Sequence, residues 1–228
     1  MAFVNLNHQP DKALREEVIN TANKMNALGV NHGKAGNVSA RTSSGFLLTP
    51  TGIAYEKLSV EDLVAMAIDH TPEGTFFGDI LPSSEWRFHR DIYAARNDVH
   101  AIVHTHSVFA TTLAVLGREI PAFHYMVAVA GGANIRCAPY ATFGTQALSD
   151  FALAALHDRR ACLLAQHGVI ACGTDLEGAL ALAVEVEMLA KMYLGALNTG
   201  LTVPVLDAAE MALVLEKFRT YGQQKPAT

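Results

Sequence analysis

The segment Ala101-Ile-Val-His104-Thr-His106 constrains this chain more than any other, because an apolar run ends in two histidines one residue apart. Side chains of a β-strand alternate between faces, so residues i and i+2 project to the same side. Both imidazoles can therefore address one ion. A lone histidine in an apolar segment is more often a core residue than a ligand, but two on one strand face require two desolvated rings without partners. A third histidine, His167, ends Ala161-Cys-Leu-Leu-Ala-Gln-His167-Gly168, which reads as a short buried strand entering a glycine turn. Glu85, in Pro82-Ser-Ser-Glu85-Trp, is the carboxylate best placed to complete the set. Three neutral imidazole nitrogens and one carboxylate suit tetrahedral Zn²⁺.

A metal centre needs a core to hold it, and the composition supplies one. Of 228 residues, 50% are hydrophobic and 17% charged, within reach of a single α/β domain spanning residues 1–228. The formal charge of −5 and the absence of any Lys/Arg cluster argue against a nucleic-acid surface. The opening residues lack the basic stretch and long apolar run of a secretory signal. Ala179 to Leu197 is the most apolar helical stretch, and Glu185, Glu187 and Lys191 break it, so no membrane span is expected. These features predict a soluble, cytoplasmic protein. Cys137, Cys162 and Cys172 show no Cys-x-x-Cys spacing and read as reduced, small buried residues.

Along the chain, the spacing of Leu14, Val18, Ala22, Met25 and Leu28 predicts a helix from Asp11 to Leu28, stopped by Gly29. Val38–Arg41 and Gly45–Thr49 flank a turn and read as a hairpin. Leu63 to Ile68 is expected as a strand and Thr71 to Gly74 as a turn. Ser83 or Ser84 is expected to cap a helix running to about Arg96, with Glu85 in its first turn. After the histidine strand come a helix from Ser107 to Leu116, strands at Val127–Ala130 and Ile135–Ala138, and a helix from Thr145 to His157. Short strands then flank His167, and helices follow at Asp175–Leu197 and Ala208–Tyr221. Strands and helices interleave without a strict βαβ rhythm, which points to a mixed sheet covered by helices.

Three loops are small, polar and next to strand or helix ends: Gly36-Asn37, Thr51-Gly52 and Ser83-Ser84. Backbone amides and hydroxyls in such loops cradle an anion without needing lysine. Each is also ordinary turn or cap chemistry. The glycines match neither Gly-x-x-x-x-Gly-Lys-Ser/Thr nor Gly-x-Gly-x-x-Gly, so a sugar phosphate is preferred over ATP or NAD.

Several longer segments together resemble the class II aldolase/adducin family over nearly the whole chain. They include Gly36-Asn-Val-Ser39, Leu48-Thr-Pro-Thr-Gly-Ile53, Pro82-Ser-Ser-Glu-Trp-Arg-Phe-His89, Val103-His-Thr-His106, His124-Tyr-Met126, Cys137-Ala-Pro-Tyr-Ala-Thr-Phe-Gly-Thr145 and Val214-Leu-Glu-Lys-Phe-Arg-Thr-Tyr-Gly222. The resemblance implies a three-layer α/β/α sandwich with a mixed, largely antiparallel central sheet, assembled as a homotetramer with four-fold cyclic symmetry. It implies zinc on His104, His106 and His167 with Glu85 beside it, and the substrate phosphate on Gly36, Asn37, Thr51, Gly52, Ser83 and Ser84. Glu85 is implied as the proton carrier, and Tyr125 as a second proton-transfer group that reaches a neighbouring subunit's site. Phe143, Phe218 and Tyr221 are implied near the aldehyde end. The implied activity is reversible cleavage of a ketose 1-phosphate, first L-fuculose 1-phosphate, to dihydroxyacetone phosphate and L-lactaldehyde. Alternatives are 5-deoxyribulose or 5-methylthioribulose 1-phosphate as substrate, an epimerase, dehydratase or decarboxylase of the family, or a non-catalytic adducin-like module. Two positions depart from the family pattern: Lys34 stands where a threonine is usual, and Gln166 where a histidine is.

Overall fold

The histidine strand becomes the middle of the molecule because its residues are apolar on both faces. The computed structural model describes residues 12–69 and 74–220. Eight strands form one sheet: β1 (Asn37–Arg41), β2 (Phe46–Leu48), β3 (Val64–Met66), β4 (Phe76–Phe77), β5 (Ala101–Thr105), β6 (Cys137–Ala138), β7 (Ala161–Leu164) and β8 (Gly168–Gly173). Their order is β4-β3-β2-β1-β5-β8-β7-β6. Every pairing is antiparallel except β6 with β7, so the sheet is mixed and largely antiparallel.

Alternation along β5 divides the core in two. Ala101 and Val103 pack with α1 (Lys12–Ala27), α3 (Val108–Val115) and α5 (Leu176–Leu197). Ile102 packs on the opposite face with α2 (Trp86–Ala95) and α4 (Gln146–Ala155). Helices on both faces make the three layers, and a sheet buried on both sides needs strands without a polar face. The last helix, α6 (Ala208–Phe218), covers a smaller cluster with Ala122 and Ala128. Short polar side chains fix the helix starts: Thr145, Asp175 and Asp207 accept amides of Leu148, Gly178 and Glu210, each such cap being worth about 1 kcal/mol.

Three expected elements differ. Of the expected Ile135–Ala138 strand only Cys137–Ala138 forms one, with Ile135 in an isolated bridge to Ile120. Val127–Ala130 is no strand but part of a 3₁₀ helix, Tyr125–Ala130, nucleated where His124 Nδ1 accepts the Met126 amide and closed by Gly131 at φ 92°. Only residues 64–66 of the expected Leu63–Ile68 strand pair with a neighbour. The turn at residues 71–73 lies outside the described residues, as does Tyr221, while the last helix ends at Phe218, short of the expected Tyr221. All three cysteines are free, with Cys162 and Cys172 buried. Among the described residues, no helix is long and apolar enough to cross a membrane.

Candidate metal centre

β5 places His104 in the middle of the sheet, and antiparallel pairing with β8 sets Thr105 against Val169, which brings the preceding His167 alongside His106. The approach is tight enough to require glycine at position 168. A Cβ there would lie 2.5 Å from the Thr105 carbonyl oxygen, 2.9 Å from His106 Cδ2 and 3.2 Å from His104 Cε1. Gly36 is forced in the same way, since its Cβ would meet the His104 carbonyl oxygen at 2.2 Å. That contact seats the first polar loop directly on the histidine strand.

The fourth member arrives from α2. Glu85 is the N-cap of that helix rather than a first-turn residue, and its side chain does not cap it. Its carboxylate turns instead to the imidazoles, with Oε2 3.2 Å from His104 Nε2 and Oε1 3.0 Å from His167 Nε2. One ligand atom from each of Glu85, His104, His106 and His167 lies within 4.8 Å of the others. His104 Nδ1 is 2.8 Å from the Val169 carbonyl, an acceptor only, so that nitrogen carries the proton. With Nδ1 committed to that carbonyl, His104 turns Nε2 toward His106 Nε2, 3.0 Å away, and toward the Glu85 carboxylate. Burial, and then the neighbouring imidazoles of His104 and His167, push His106 down to about 3, which keeps it neutral. Burial tends to raise the Glu85 carboxyl, but the His104 and His167 rings outweigh it and hold it well below the usual carboxylate range. Its Oε1 is buried with no hydrogen-bond donor. Three imidazoles and an ionised carboxylate turned onto one point form an N₃O donor set that fits a divalent transition metal.

The three polar loops meet beside this cluster. Ser83 N donates to the Thr49 carbonyl and Thr51 N to that of Leu81, both at 3.1 Å, which lays Thr51-Gly52 against Ser83-Ser84. Lys34 Nζ donates to the Gly52 carbonyl at 2.8 Å and ties the first loop to the second. Tyr55 OH donates to the Gly36 carbonyl and holds the same loop from below. Asn37 and Ser83 are buried, while Thr51 and Gly52 face solvent.

A cavity of about 290 Å³ opens over the cluster, lined by Ala35, Ser84, Glu85, His106, Tyr140, Phe143 and His167 among others. Phe143 is thus brought to the cluster. Tyr125 and Phe218 are not: they lie 6.5 Å apart by ring centroid in a separate groove with Phe123, Leu206 and Val214. Tyr125 is 49% exposed there. Tyr221 lies outside the described residues.

Gln166, noted in the sequence as a departure from the family pattern, lines the cavity and is held at φ 55° next to His167. Sequence reasoning passed over three residues. Tyr140 lines the cavity. Asn31 Oδ1 accepts the His106 amide at 3.4 Å. His89 is fully buried behind Asn37. A signal for the last was available, because Glu85, His89 and Tyr93 are spaced by four residues and so share one helix face.

Comparison with known proteins agrees with this geometry. Residues 16–194 match the family described as the class II aldolase and adducin N-terminal domain. An L-fuculose phosphate aldolase of Escherichia coli (strain K12) is 52% identical over 209 residues, covering 92% of this chain and 95% of the relative. A 5-methylthioribulose-1-phosphate/5-deoxyribulose-1-phosphate aldolase of Rhodospirillum rubrum is 53% identical over 210 residues, covering 92% and 93%. A solved L-fuculose 1-phosphate aldolase has a TM-score of 0.87 at 38% identity, covering 94% of this chain and all of that one. With a family match across most of the chain, relatives above 50% identity and the expected three-layer sheet, this protein belongs to the class II aldolase and adducin family.

Proposed function

We propose that this chain is a zinc-dependent aldolase that reversibly cleaves L-fuculose 1-phosphate to dihydroxyacetone phosphate and L-lactaldehyde. The observation that carries the reading is the convergence of His104, His106, His167 and Glu85 beside three polar loops. A scaffold without catalysis has no use for four such groups turned onto one point. His104, His106 and His167 would hold the zinc, which when bound supplies a Lewis acid for the electron pair released at the broken carbon–carbon bond.

The chain's own residues do the remaining work. Amides and hydroxyls of Gly36, Asn37, Thr51, Gly52, Ser83 and Ser84 hold the phosphate, so binding energy far from the reacting bond becomes orientation. In the aldol direction Glu85 removes a proton from carbon three of dihydroxyacetone phosphate, and in cleavage it returns that proton. Phe143 at the cavity mouth covers the aldehyde tail and limits water. Tyr125 exchanges a proton with the oxygen on carbon four. Tyr125 and Phe218 share a groove away from this chain's cavity, which supports a role at the site of an adjoining copy in a cytoplasmic, four-fold cyclic homotetramer.

A second reading keeps the mechanism and changes the aldehyde, with 5-methylthioribulose or 5-deoxyribulose 1-phosphate as substrate. The similarity to the Rhodospirillum rubrum relative favours it. Side-by-side cleavage of the three ketose phosphates separates the readings. The first requires kcat/KM to be highest for L-fuculose 1-phosphate, and equal or absent turnover of that sugar would defeat it.

A further inference from the structure

We propose that His89 is a positioning residue that sets the orientation of the Asn37 amide and, through it, the Glu85 carboxylate; this rests on the aldolase reading of the same site. Two periodicities meet behind the metal centre. Asn37 and Ser39 lie two apart on one face of β1, and Glu85, His89 and Tyr93 lie four apart on one face of α2. The result is an unbroken hydrogen-bonded chain: Glu85 Oε2 to Asn37 Nδ2 at 2.9 Å, Asn37 Oδ1 to His89 Nε2 at 2.5 Å, His89 Nδ1 to Ser39 Oγ at 2.7 Å, and Ser39 Oγ to Tyr93 OH at 2.8 Å. All five residues are buried, and Ser39 and His89 are completely so.

Chemistry allows this chain only one direction. An ionised Glu85 accepts, so Asn37 must present its NH₂ to it and its carbonyl oxygen to His89. His89 must then carry its proton on Nε2 and accept from the Ser39 hydroxyl on Nδ1. Ser39, donating its hydroxyl hydrogen to His89, accepts from Tyr93. Each donor hydrogen points toward the carboxylate, so the dipoles add. Asn37 Nδ2 is also 3.1 Å from Ser83 Oγ, which links the chain to one of the phosphate loops. Without a donor at position 89 the Asn37 amide has no reason to keep this face toward Glu85. A flip would set its carbonyl oxygen against the carboxylate.

The test compares His89→Leu, which removes both ring nitrogens, with His89→Gln, whose side-chain amide restores an N–H toward Asn37. Both are assayed for metal content, melting temperature, cleavage of the ketose phosphate, and solvent deuterium exchange at carbon three of dihydroxyacetone phosphate without aldehyde. Leu should lower both kcat and exchange by about 10- to 100-fold, with KM changed far less and metal retained. Gln should recover most of that loss. Separately, ¹⁵N NMR of the wild-type protein should show His89 as the Nε2–H tautomer at neutral pH. The proposal is overturned by a His89→Leu protein that is as fast as wild type, by a folded, metal-loaded Gln protein no faster than Leu, or by an Nδ1–H tautomer. Wild type that cleaves none of the three sugars, with its metal bound, overturns the aldolase reading itself.

Discussion

Replacing Gly168 with alanine tests whether the imidazoles are held as tightly as the packing indicates. Position 168 begins strand β8 with an ordinary strand backbone, so alanine brings no conformational penalty and the effect is steric. Its Cβ would sit 2.5 Å from the Thr105 carbonyl oxygen, short of the 3.4 Å edge of ordinary contact by 0.9 Å. The obstructing atom is backbone between the two strand histidines, and the His106 and His104 rings close the other sides at 2.9 and 3.2 Å. Something must move by several tenths of an ångström, whereas metal–ligand distances tolerate only about 0.2 Å. Overpacking of this kind costs roughly 1–3 kcal/mol. If that falls on the site, divalent metal affinity drops about 5- to 150-fold, since each 1.4 kcal/mol is a factor of ten. Competition titration of the apo protein with a chelating dye, alongside circular dichroism, measures it. A folded Gly168→Ala protein with wild-type metal affinity would refute the argument that this contact fixes the ligand rings.

Three further outcomes follow from the same geometry. Glu85→Gln should bind the phosphate end nearly as well as wild type while kcat falls by roughly 10²–10⁴, and preserved turnover removes Glu85 from proton transfer. Tyr125→Phe should slow cleavage by at least about tenfold with metal content intact; an unchanged rate strips Tyr125 of its role. Burial pushes His89 down from 6.5 to about 3, so the unfolded chain binds a proton there that the folded chain refuses. Stability from this group is complete above pH 6.5 and is lost as pH falls toward 3, by up to about 5 kcal/mol at roughly 1.4 kcal/mol per pH unit. Denaturant melts of the metal-loaded protein should show this fall, and His89→Gln should flatten it. An equally steep fall in His89→Gln would place the acid sensitivity elsewhere.

The sequence revealed those parts of the site whose periodicity is local. His104 and His106 are legible because a strand repeats every two residues, and the α1 and α5 faces because a helix repeats every 3.6. That His167 joins them depends on the β5–β8 register across more than sixty residues, which no local pattern encodes. Val127-Ala-Val-Ala misled because a short apolar run looks the same in a strand and a buried turn, and the deciding contact is a single His124 side chain on the Met126 amide. Glu85 was found by composition, but its place at the N-cap was not, because a serine pair just before a helix is the commoner cap. His89 went unnoticed because its partners lie on another element. Only when α2 packs over β1 do a four-residue and a two-residue spacing come into contact.

The central claim is that a divalent cation held by His104, His106 and His167 carries the cleavage of a phosphorylated ketose. Cleavage of L-fuculose 1-phosphate by chelator-stripped protein, before and after stoichiometric zinc is returned, tests it most directly. The account predicts turnover at least about 10³-fold lower in the stripped protein and recovered with the metal. Full activity after stripping, or substrate trapped by borohydride on a lysine, would contradict it.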